Sequence, residues 1–182
     1  MSKRALVAIA FLFTPMVCQA ADLGTYLGGS IGRGVEIAAV DDAGADTSDP
    51  SIKLFAGIGI GENLAVEIAY HDFGTTTCCA PSYSDFGFKR NGNAYSASAI
   101  VLWPFSRFRL SAKAGVLRWD VDGYDVTIAG PRPYSNDGID LLAGVGGDVA
   151  VASHLRVRLE WEHLEIDNDD ADSVTIGALW QF

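Results

Sequence analysis

The residues best suited to acid–base chemistry are three histidines, His71, His154 and His163. Hydrolytic catalysis needs a serine hydroxyl activated by a neighbouring histidine, which a carboxylate in turn orients. His71 is followed by Asp72, but none of the three histidines belongs to a His-x-Ser arrangement. We therefore predict no catalytic residues and no cofactor, and His71 with Asp72 is the one pair to test for catalysis.

Aspartate is concentrated in two segments, where carboxylates at alternating positions could ligate a cation. The clusters are Asp41, Asp42, Asp46 and Asp49, and then Asp167, Asp169, Asp170 and Asp172. Calcium takes six to eight oxygen ligands, and an EF-hand loop needs a glycine at its turn and a closing glutamate. Neither cluster has that glycine or that glutamate, so we predict no metal site and interpret both clusters as solvated loop surface.

Alternation of apolar and polar residues is the strongest pattern in the chain and indicates β-strands. In the clearest segment, Leu155, Val157, Leu159 and Trp161 share one face, and Arg156, Arg158, Glu160 and Glu162 share the other. Eight segments follow this pattern, and they are 25–36, 52–60, 64–71, 93–103, 108–119, 139–151, 155–162 and 174–182. Strands of roughly ten residues have the length that a tilted strand needs to cross a bilayer.

The connections between these segments alternate between long and short. Residues 37–51, 75–92, 120–138 and 167–172 are long or polar, whereas 61–63, 104–107 and 152–154 are short turns. An even number of strands with both chain ends on the side of the short turns is typical of bacterial outer-membrane barrels. The sequence thus predicts an all-β fold, an eight-stranded antiparallel up-and-down transmembrane β-barrel.

The first 20 residues have the features of a cleaved secretory signal. Lys3 and Arg4 precede an apolar run over 5–13, and Ala20 ends a small-x-small cleavage site. The run is too short for a spanning helix, which needs roughly 20 residues. We predict a signal peptide over 1–20 and the barrel over 21–182.

The net charge argues against one class of partner, and the cysteine content bears on disulfide formation. The chain has a net charge of −10, which argues against nucleic acid, because phosphates require a basic face. Cys78 and Cys79 are adjacent in a polar segment. In an oxidising compartment they could form a local bridge or pair between chains, and loop cysteines without a function are the simpler interpretation.

The surrounding medium decides which strand face turns inward. In lipid the apolar face turns outward, and the charged residues fill a lumen that eight strands leave narrow. Aromatic residues near the strand ends favour lipid because they resemble interfacial girdles; they are Trp103, Phe105, Phe108, Trp180 and Phe182 at one end, and Tyr70, Phe73, Trp119 and Trp161 at the other. In 108–119 the pattern slips, since Leu117 and Trp119 fall on the polar face, which indicates a bulge or the exit of the strand from the membrane.

From TYLGG at 25–29 to its end, the chain resembles the transmembrane domain of the outer-membrane protein A family. The resemblance rests on VEIAY at 66–70, KAGV at 113–116, AGVGGD at 143–148, VRLEW at 157–161 and IGALWQF at 176–182. It implies a lumen ionic network of Glu67, Lys113, Asp148, Arg158 and Glu160 that blocks or gates the barrel. Ile100 stands where a further lumen lysine is expected. Trp180 and Phe182 resemble the signal that the outer-membrane assembly machinery reads. We expect neither the peptidoglycan-binding domain that full-length members of that family append nor a wall-tethering role.

These features favour an integral protein of the Gram-negative outer membrane with periplasmic termini and functional external loops. The expected partners are membrane lipid, lipopolysaccharide, which divalent ions could bridge to the acidic loops, and the assembly machinery; the loop ligand is unspecified. The first hypothesis is a structural or surface-interaction role in envelope integrity or adhesion. The second is a porin-like channel gated by lumen ion pairs. A lipid A-modifying enzyme and a soluble lipocalin-like carrier are less favoured.

Overall fold

The computed structural model describes residues 24–32, 45–47, 50–78, 87–127, 130–166 and 169–182. Its strands are β1 (Thr25–Gly32), β2 (Ala45–Thr47), β3 (Ser51–Gly59), β4 (Leu64–Cys78), β5 (Gly87–Phe105), β6 (Phe108–Thr127), β7 (Gly130–Ala150), β8 (Leu155–Ile166) and β9 (Asp169–Gln181). Within this described part, no helix is long and apolar enough to cross a membrane. The predicted signal peptide over 1–20 lies outside the described residues.

Eight of the strands close into a ring in which all neighbours are antiparallel. The order is β1, β3, β4, β5, β6, β7, β8 and β9, and β9 returns to β1 with Gln181 opposite Tyr26. The short strand β2 lies beyond the end of β3 and pairs with β4, where Asp46 stands opposite Thr77. The ring confirms the predicted eight-stranded antiparallel barrel.

The two ends of the barrel differ in their connections. The three short turns, Gly24 and Phe182 lie at one end, which we call the turn end, and the opposite end is the loop end. At the turn end the Gly59 amide donates to the Gly24 carbonyl over 3.0 Å, and the Phe182 amide donates to the Thr25 carbonyl over 2.9 Å. These bonds fasten the first and last described residues to the ring.

Three of the predicted loops contain long stretches of strand among the described residues. Residues 120–127 and 130–138 belong to a tall hairpin of β6 and β7, whose register runs unbroken from Phe108 opposite Val149 to Thr127 opposite Gly130. Residues 75–78 of β4 pair with 88–91 of β5, and 169–172 belong to β9. The prediction of loops there was wrong because alternation reveals a strand only where one of its faces is apolar. The predicted extension of the first strand over 33–36 lies outside the described residues.

The break in the pattern at Leu117 and Trp119 is not a bulge. The β6 register is continuous there, and both side chains are buried inside the ring. Arg118 points outward and is 70% exposed. The side chains therefore keep alternating between the two faces. From Leu117 onward the inward face changes from charged to apolar, and the outward face changes from apolar to polar.

Apolar side chains cover the outside of the ring between the two ends. Val145, Leu159 and Ile176 are each more than half exposed, whereas Glu67 and Arg158 inside are almost fully buried. Towards the loop end, this apolar belt gives way on the outer face to Asp72, Arg118, Asp137 and Asp172. This is the arrangement of a barrel whose outer face contacts lipid.

Candidate functional site in the barrel lumen

Six charged side chains meet inside the ring, and we call them the lumen ion cluster: Lys53, Glu67, Lys113, Arg158, Glu160 and Glu162. The Lys53 Nζ atom lies 2.5 Å from Glu160 Oε2 and 2.9 Å from Glu162 Oε1. The Lys113 Nζ atom lies 2.5 Å from Glu162 Oε1 and 2.9 Å from Glu160 Oε1. Two lysines from different strands thus bridge the same two carboxylates of β8.

Glu67 joins these lysines to the remaining cation of the cluster. Arg158 donates from Nη1 to Glu67 Oε2 over 2.7 Å, and the Tyr26 hydroxyl donates to the same oxygen over 2.8 Å. The other oxygen, Oε1, lies 3.8 Å from Lys53 Nζ and 3.7 Å from Lys113 Nζ. Glu67 therefore contacts all three cations.

Glycines on β7 make room for these contacts between β6 and β8. Gly144 stands opposite both Lys113 on β6 and Glu162 on β8. A Cβ atom on Gly144 would lie 3.2 Å from Lys113 Cε and 3.3 Å from Glu162 Cγ. Because Gly144 has no side chain, the lysine and the glutamate can meet across the intervening strand.

The lumen ion cluster contains three cations and three carboxylates, so its formal charges balance. Balance matters because a charge taken out of water is costly unless it is paired and hydrogen-bonded. Aromatic rings add to the pairing, since the Arg158 guanidinium lies 4.7 Å from the Phe55 ring centre and 5.4 Å from that of Tyr26. Cations over aromatic faces are attracted by the ring quadrupole.

Asp148 does not join the lumen ion cluster, although the family resemblance groups it with Glu67, Lys113, Arg158 and Glu160. It lies near the turn end, where Arg109 donates to its Oδ2 atom from Nε over 3.1 Å and from Nη2 over 2.9 Å. Arg156 donates from Nε to its Oδ1 atom. Arg109 was not among the predicted site residues, although the alternation of 108–119 puts it on the same face as Lys113.

Apolar side chains fill the lumen nearer the loop end, where we expected a polar interior. This lumen apolar cluster consists of Phe73, Ala94, Leu117, Trp119, Val121, Leu142, Leu164, Ile166 and Ala171. The Trp119 indole donates from Nε1 to Asp140 Oδ2 over 2.6 Å, which satisfies the one polar atom of that side chain. Phe73 and Trp119 are therefore lumen residues, and their assignment to an interfacial girdle was wrong.

A second apolar cluster packs inside the ring from Tyr26, Phe55, Ala65, Ala69, Ile100, Leu102 and Leu179. Ile100, where a lumen lysine was expected, is one of its buried members. Lys53 on β3 supplies the second lysine of the lumen ion cluster instead. The network is thus built from a different set of strands than the resemblance implies.

The histidines do not form the pairing that the sequence suggested testing. His71 points into the lumen, where its Nε2 atom lies 2.9 Å from Ser96 Oγ. Asp72 is on the outer face and accepts a hydrogen bond from the Gly74 amide over 3.0 Å. Neighbouring residues of a strand point to opposite faces, so His71 and Asp72 cannot act on one substrate. The His154 ring lies against Trp180 at the turn end, with ring centres 5.6 Å apart.

The structure does not assemble the two predicted aspartate clusters into a metal site among the described residues. Asp41, Asp42, Asp49 and Asp167 lie outside the described residues, as does Cys79. The backbones of Asp46, Asp169 and Asp170 pair in strands, as does that of Cys78. Asp172 Oδ1 lies 3.0 Å from His163 Nδ1. Within the described ranges, no group of three or more His, Cys, Asp or Glu side chains could hold a metal ion.

The predicted assembly residues lie together at the turn end. Trp180 and Phe182 both point outward, and Trp103, Phe105 and Phe108 are exposed on the strands at the same end. Together they form an aromatic band below the apolar belt. Tyr70 and Trp161 remain on the outer face nearer the loop end.

A closed ring of eight strands, with an apolar outside and a charged inside, defines the class of outer-membrane β-barrels. The chain matches the family described as outer membrane protein beta-barrel domain over residues 5–182, and it belongs to that family. The predicted resemblance to outer-membrane protein A-like barrels is therefore confirmed. Membership makes the chain an integral outer-membrane protein. No curated protein sequence matches the chain.

Solved structures share this fold at low sequence identity. The N-terminal barrel domain of OprF from Pseudomonas aeruginosa is 10% identical, with a TM-score of 0.60, and 87% of this chain and 98% of that one are covered. Ail from Yersinia pestis is 11% identical, with a TM-score of 0.60 and coverage of 88% and 100%. Neisserial surface protein A is 16% identical, with a TM-score of 0.61 and coverage of 87% and 97%. At these identities the likeness concerns the fold.

Proposed function

We propose that the protein is a structural, surface-presenting barrel of the Gram-negative outer membrane with a closed lumen. The observation that carries this proposal is the filling of the lumen by two successive groups of different chemistry. Ions that pass the lumen apolar cluster near Trp119 must also break the lumen ion cluster around Glu67. A barrel closed in both ways is suited to anchoring a surface structure rather than to transport.

The tall hairpin of β6 and β7 is the surface that this barrel presents. From Arg118, where the apolar belt ends, β6 continues for nine residues to Thr127. At about 3.3 Å per residue, it extends roughly 30 Å along the strand direction. We place the loop end outside the cell, which leaves both termini periplasmic and agrees with export through the predicted signal peptide over 1–20. The name of Ail, attachment invasion locus protein, supports a surface role for this architecture.

Membrane lipid and lipopolysaccharide are the proposed surroundings. The polar residues that follow the apolar belt, among them Asp72, Arg118 and Asp172, stand at the level of the lipid headgroups. Trp180 and Phe182 form the proposed contact with the assembly machinery. Ail from Yersinia pestis has been solved in complex with sucrose octasulfate, a heparin analogue. The acidic hairpin of this chain favours cationic partners instead.

Shortening the hairpin tests the proposed function. Residues 122–135 are replaced by Asn-Gly, a two-residue turn that fits antiparallel strands, which keeps Val121 opposite Asn136 and leaves the lumen clusters intact. We expect a folded barrel and loss of cell-surface adhesion or of detergent resistance in cells that depend on this protein. Unchanged adhesion and resistance in cells carrying the shortened barrel would contradict the proposal.

A narrow channel is the second candidate, and one observation favours it. Three polar atoms of the lumen wall are buried without a hydrogen-bond partner among the described residues: Ser30 Oγ, Arg158 Nε and Thr175 Oγ1. Planar-bilayer recordings separate the candidates. The structural proposal predicts no unitary conductance for the wild type, whereas a conductance that changes in Lys113→Gln supports the channel.

A further inference from the structure

The loop-end part of β7 lies at an open edge of the sheet. β7 pairs with β6 from Gly130 onward, but it pairs with β8 only from Leu142. β8 ends at Ile166, which pairs with Asp169 at the start of β9, whereas β7 extends twelve residues from Leu142 toward Gly130. Among the described residues, the strand before Leu142 therefore has a ladder partner on one side only.

The hydrogen bonds at the other end of β7 show which residues face this edge. The Ala150 amide donates to Arg107, on the side of β6, and the Val151 amide donates to Leu155, on the side of β8. Successive residues of a strand direct their backbone groups to opposite sides, and the β6–β7 register contains no interruption. Odd-numbered residues of β7 therefore point their N–H and C=O groups toward the open edge.

The two prolines of the hairpin agree with this assignment. Pro131 and Pro133 are odd-numbered, so neither removes a hydrogen bond to β6. Prolines in sheets are confined to such positions, and they also block an edge against further pairing. The prolines do not extend to the residues nearer Leu142. There, Ser135 and Ile139 present both their N–H and their C=O groups to the open edge, and Asp137 presents its C=O group, while its N–H donates to Asn136 Oδ1 over 3.1 Å.

The outer face beside this edge is strongly acidic. Asp137 stands opposite Asp120, and Asp122 stands opposite Ser135. Like charges directly opposite each other destabilise a sheet. Burial, with repulsion from Asp122 and Asp137, raises the pKa of Asp120. Arg118 lies 3.6 Å from Asp137 and is the one cation paired with this group in the described structure.

We propose that the edge formed by Ser135, Asp137 and Ile139 binds an extended basic segment of another protein by strand addition. The inference rests on the surface role proposed above and names the partner class. Strand addition would satisfy the N–H and C=O groups of Ser135 and Ile139 and the C=O group of Asp137, and side chains of alternate residues would supply specificity. A lysine or arginine opposite Asp137 would relieve the repulsion, and an apolar residue two positions away would cover Ile139, which is 67% exposed.

Charge argues against a second copy of this chain as the occupant. Two β7 edges paired with each other would bring two groups of aspartates together without an added cation. A basic segment instead supplies the missing positive charge. The expected recognition pattern is therefore a cation and an apolar residue at alternate positions, in an extended conformation.

The test uses the wild-type barrel in zwitterionic micelles and a capped peptide of sequence TKTVTKTV, which carries lysine and valine alternately on one face. We expect hydrogen exchange at the amides of Ser135 and Ile139 to slow at least tenfold at saturation. The peptide TETVTETV and a TKTVTKTV peptide N-methylated at its lysine and valine amides should give no protection. Equal protection by all three peptides, or none by TKTVTKTV, would overturn the inference.

Two variants separate backbone pairing from charge. Ser135→Pro removes an edge N–H without removing a bond to β6, and Asp137→Asn removes the facing charge; each should weaken TKTVTKTV binding at least tenfold. Pro133→Ala, which adds an edge N–H, and Glu62→Gln, at the turn end, should not weaken it. Unaltered binding by Ser135→Pro would overturn strand addition. If the shortened-hairpin barrel loses function but TKTVTKTV does not protect the wild-type edge, the proposed function stands and this inference is rejected. If TKTVTKTV protects the edge of a wild-type barrel that conducts ions, the strand addition stands and the proposed closed lumen is rejected.

Discussion

The lumen ion cluster and the lumen apolar cluster occupy the same barrel interior but are held together in different ways. Each charge in the first depends on its neighbours, because Glu67 contacts three cations and no member is exposed to bulk water. The second, around Leu117 and Trp119, depends on filled volume. The stability of the lumen ion cluster therefore depends on all of its charges together, whereas the stability of the lumen apolar cluster falls in proportion to the volume that a substitution removes.

The largest expected loss of stability comes from removing a charge from the lumen ion cluster. Glu67→Gln leaves Arg158 and the two lysines with too little negative charge, and removing one partner of a buried ion pair costs about 3–5 kcal/mol. Urea unfolding in phospholipid vesicles measures the loss. Glu62→Gln at the exposed turn is the control and should change stability by about 0.5 kcal/mol or less. A loss at Glu67 as small as the control would mean that the cluster is not electrostatically coupled.

Truncating a side chain of the lumen apolar cluster should lower the free energy of unfolding somewhat less, in proportion to the volume of the cavity that it leaves. Leu117→Ala is expected to destabilise the barrel by about 2–5 kcal/mol, because it removes buried contacts and leaves a cavity. The same unfolding assay applies. Val116→Ala, on the outer face of the same strand, leaves no cavity and should cost clearly less. Equal losses at 116 and 117 would contradict the assignment of Leu117 to the interior.

A charge introduced on the outer face of the barrel tests whether this face contacts lipid. Leu159→Arg places a cation on the apolar belt, where a basic residue costs about 2–4 kcal/mol near the bilayer midplane. Stability in vesicles of defined lipid measures this cost, and Leu159→Ala separates the added charge from the lost leucine. An arginine tolerated as well as alanine would show that position 159 does not face acyl chains.

The smallest expected effect concerns an ion pair outside both clusters. Arg118 and Asp137 are 70% and 64% exposed, with 3.6 Å between their charged atoms. Exposed pairs contribute about 0–1 kcal/mol and are screened by salt. Arg118→Ala should therefore have a small effect that disappears in high salt, whereas the effect of Glu67→Gln should persist. A salt-independent loss at Arg118 would remove the distinction between surface and lumen pairs.

The ring of strands and the inward direction of the charges follow from alternation that the sequence displays openly, as at Leu159 and Arg158. The tall hairpin does not, because outside the membrane neither strand face needs to be apolar, and residues such as Asp120 and Asp137 then read as loop. The sequence also concealed the lumen apolar cluster, since Leu117 breaks a pattern that assumes a polar interior. Pairs such as Arg109 with Asp148 depend on register, which local patterns do not define.

The most direct measurement uses the wild-type barrel in nanodiscs with methyl-labelled leucine and valine. A nitroxide attached to the lipid acyl chains should broaden the methyl signals of Leu159 and Val145, which face the belt. The signals of Leu117 and Leu164, sealed within the lumen, should be unaffected both by this probe and by a water-soluble gadolinium chelate. Broadening of Leu117 and Leu164 with sparing of Leu159 and Val145 would contradict a barrel with lipid outside and a closed interior.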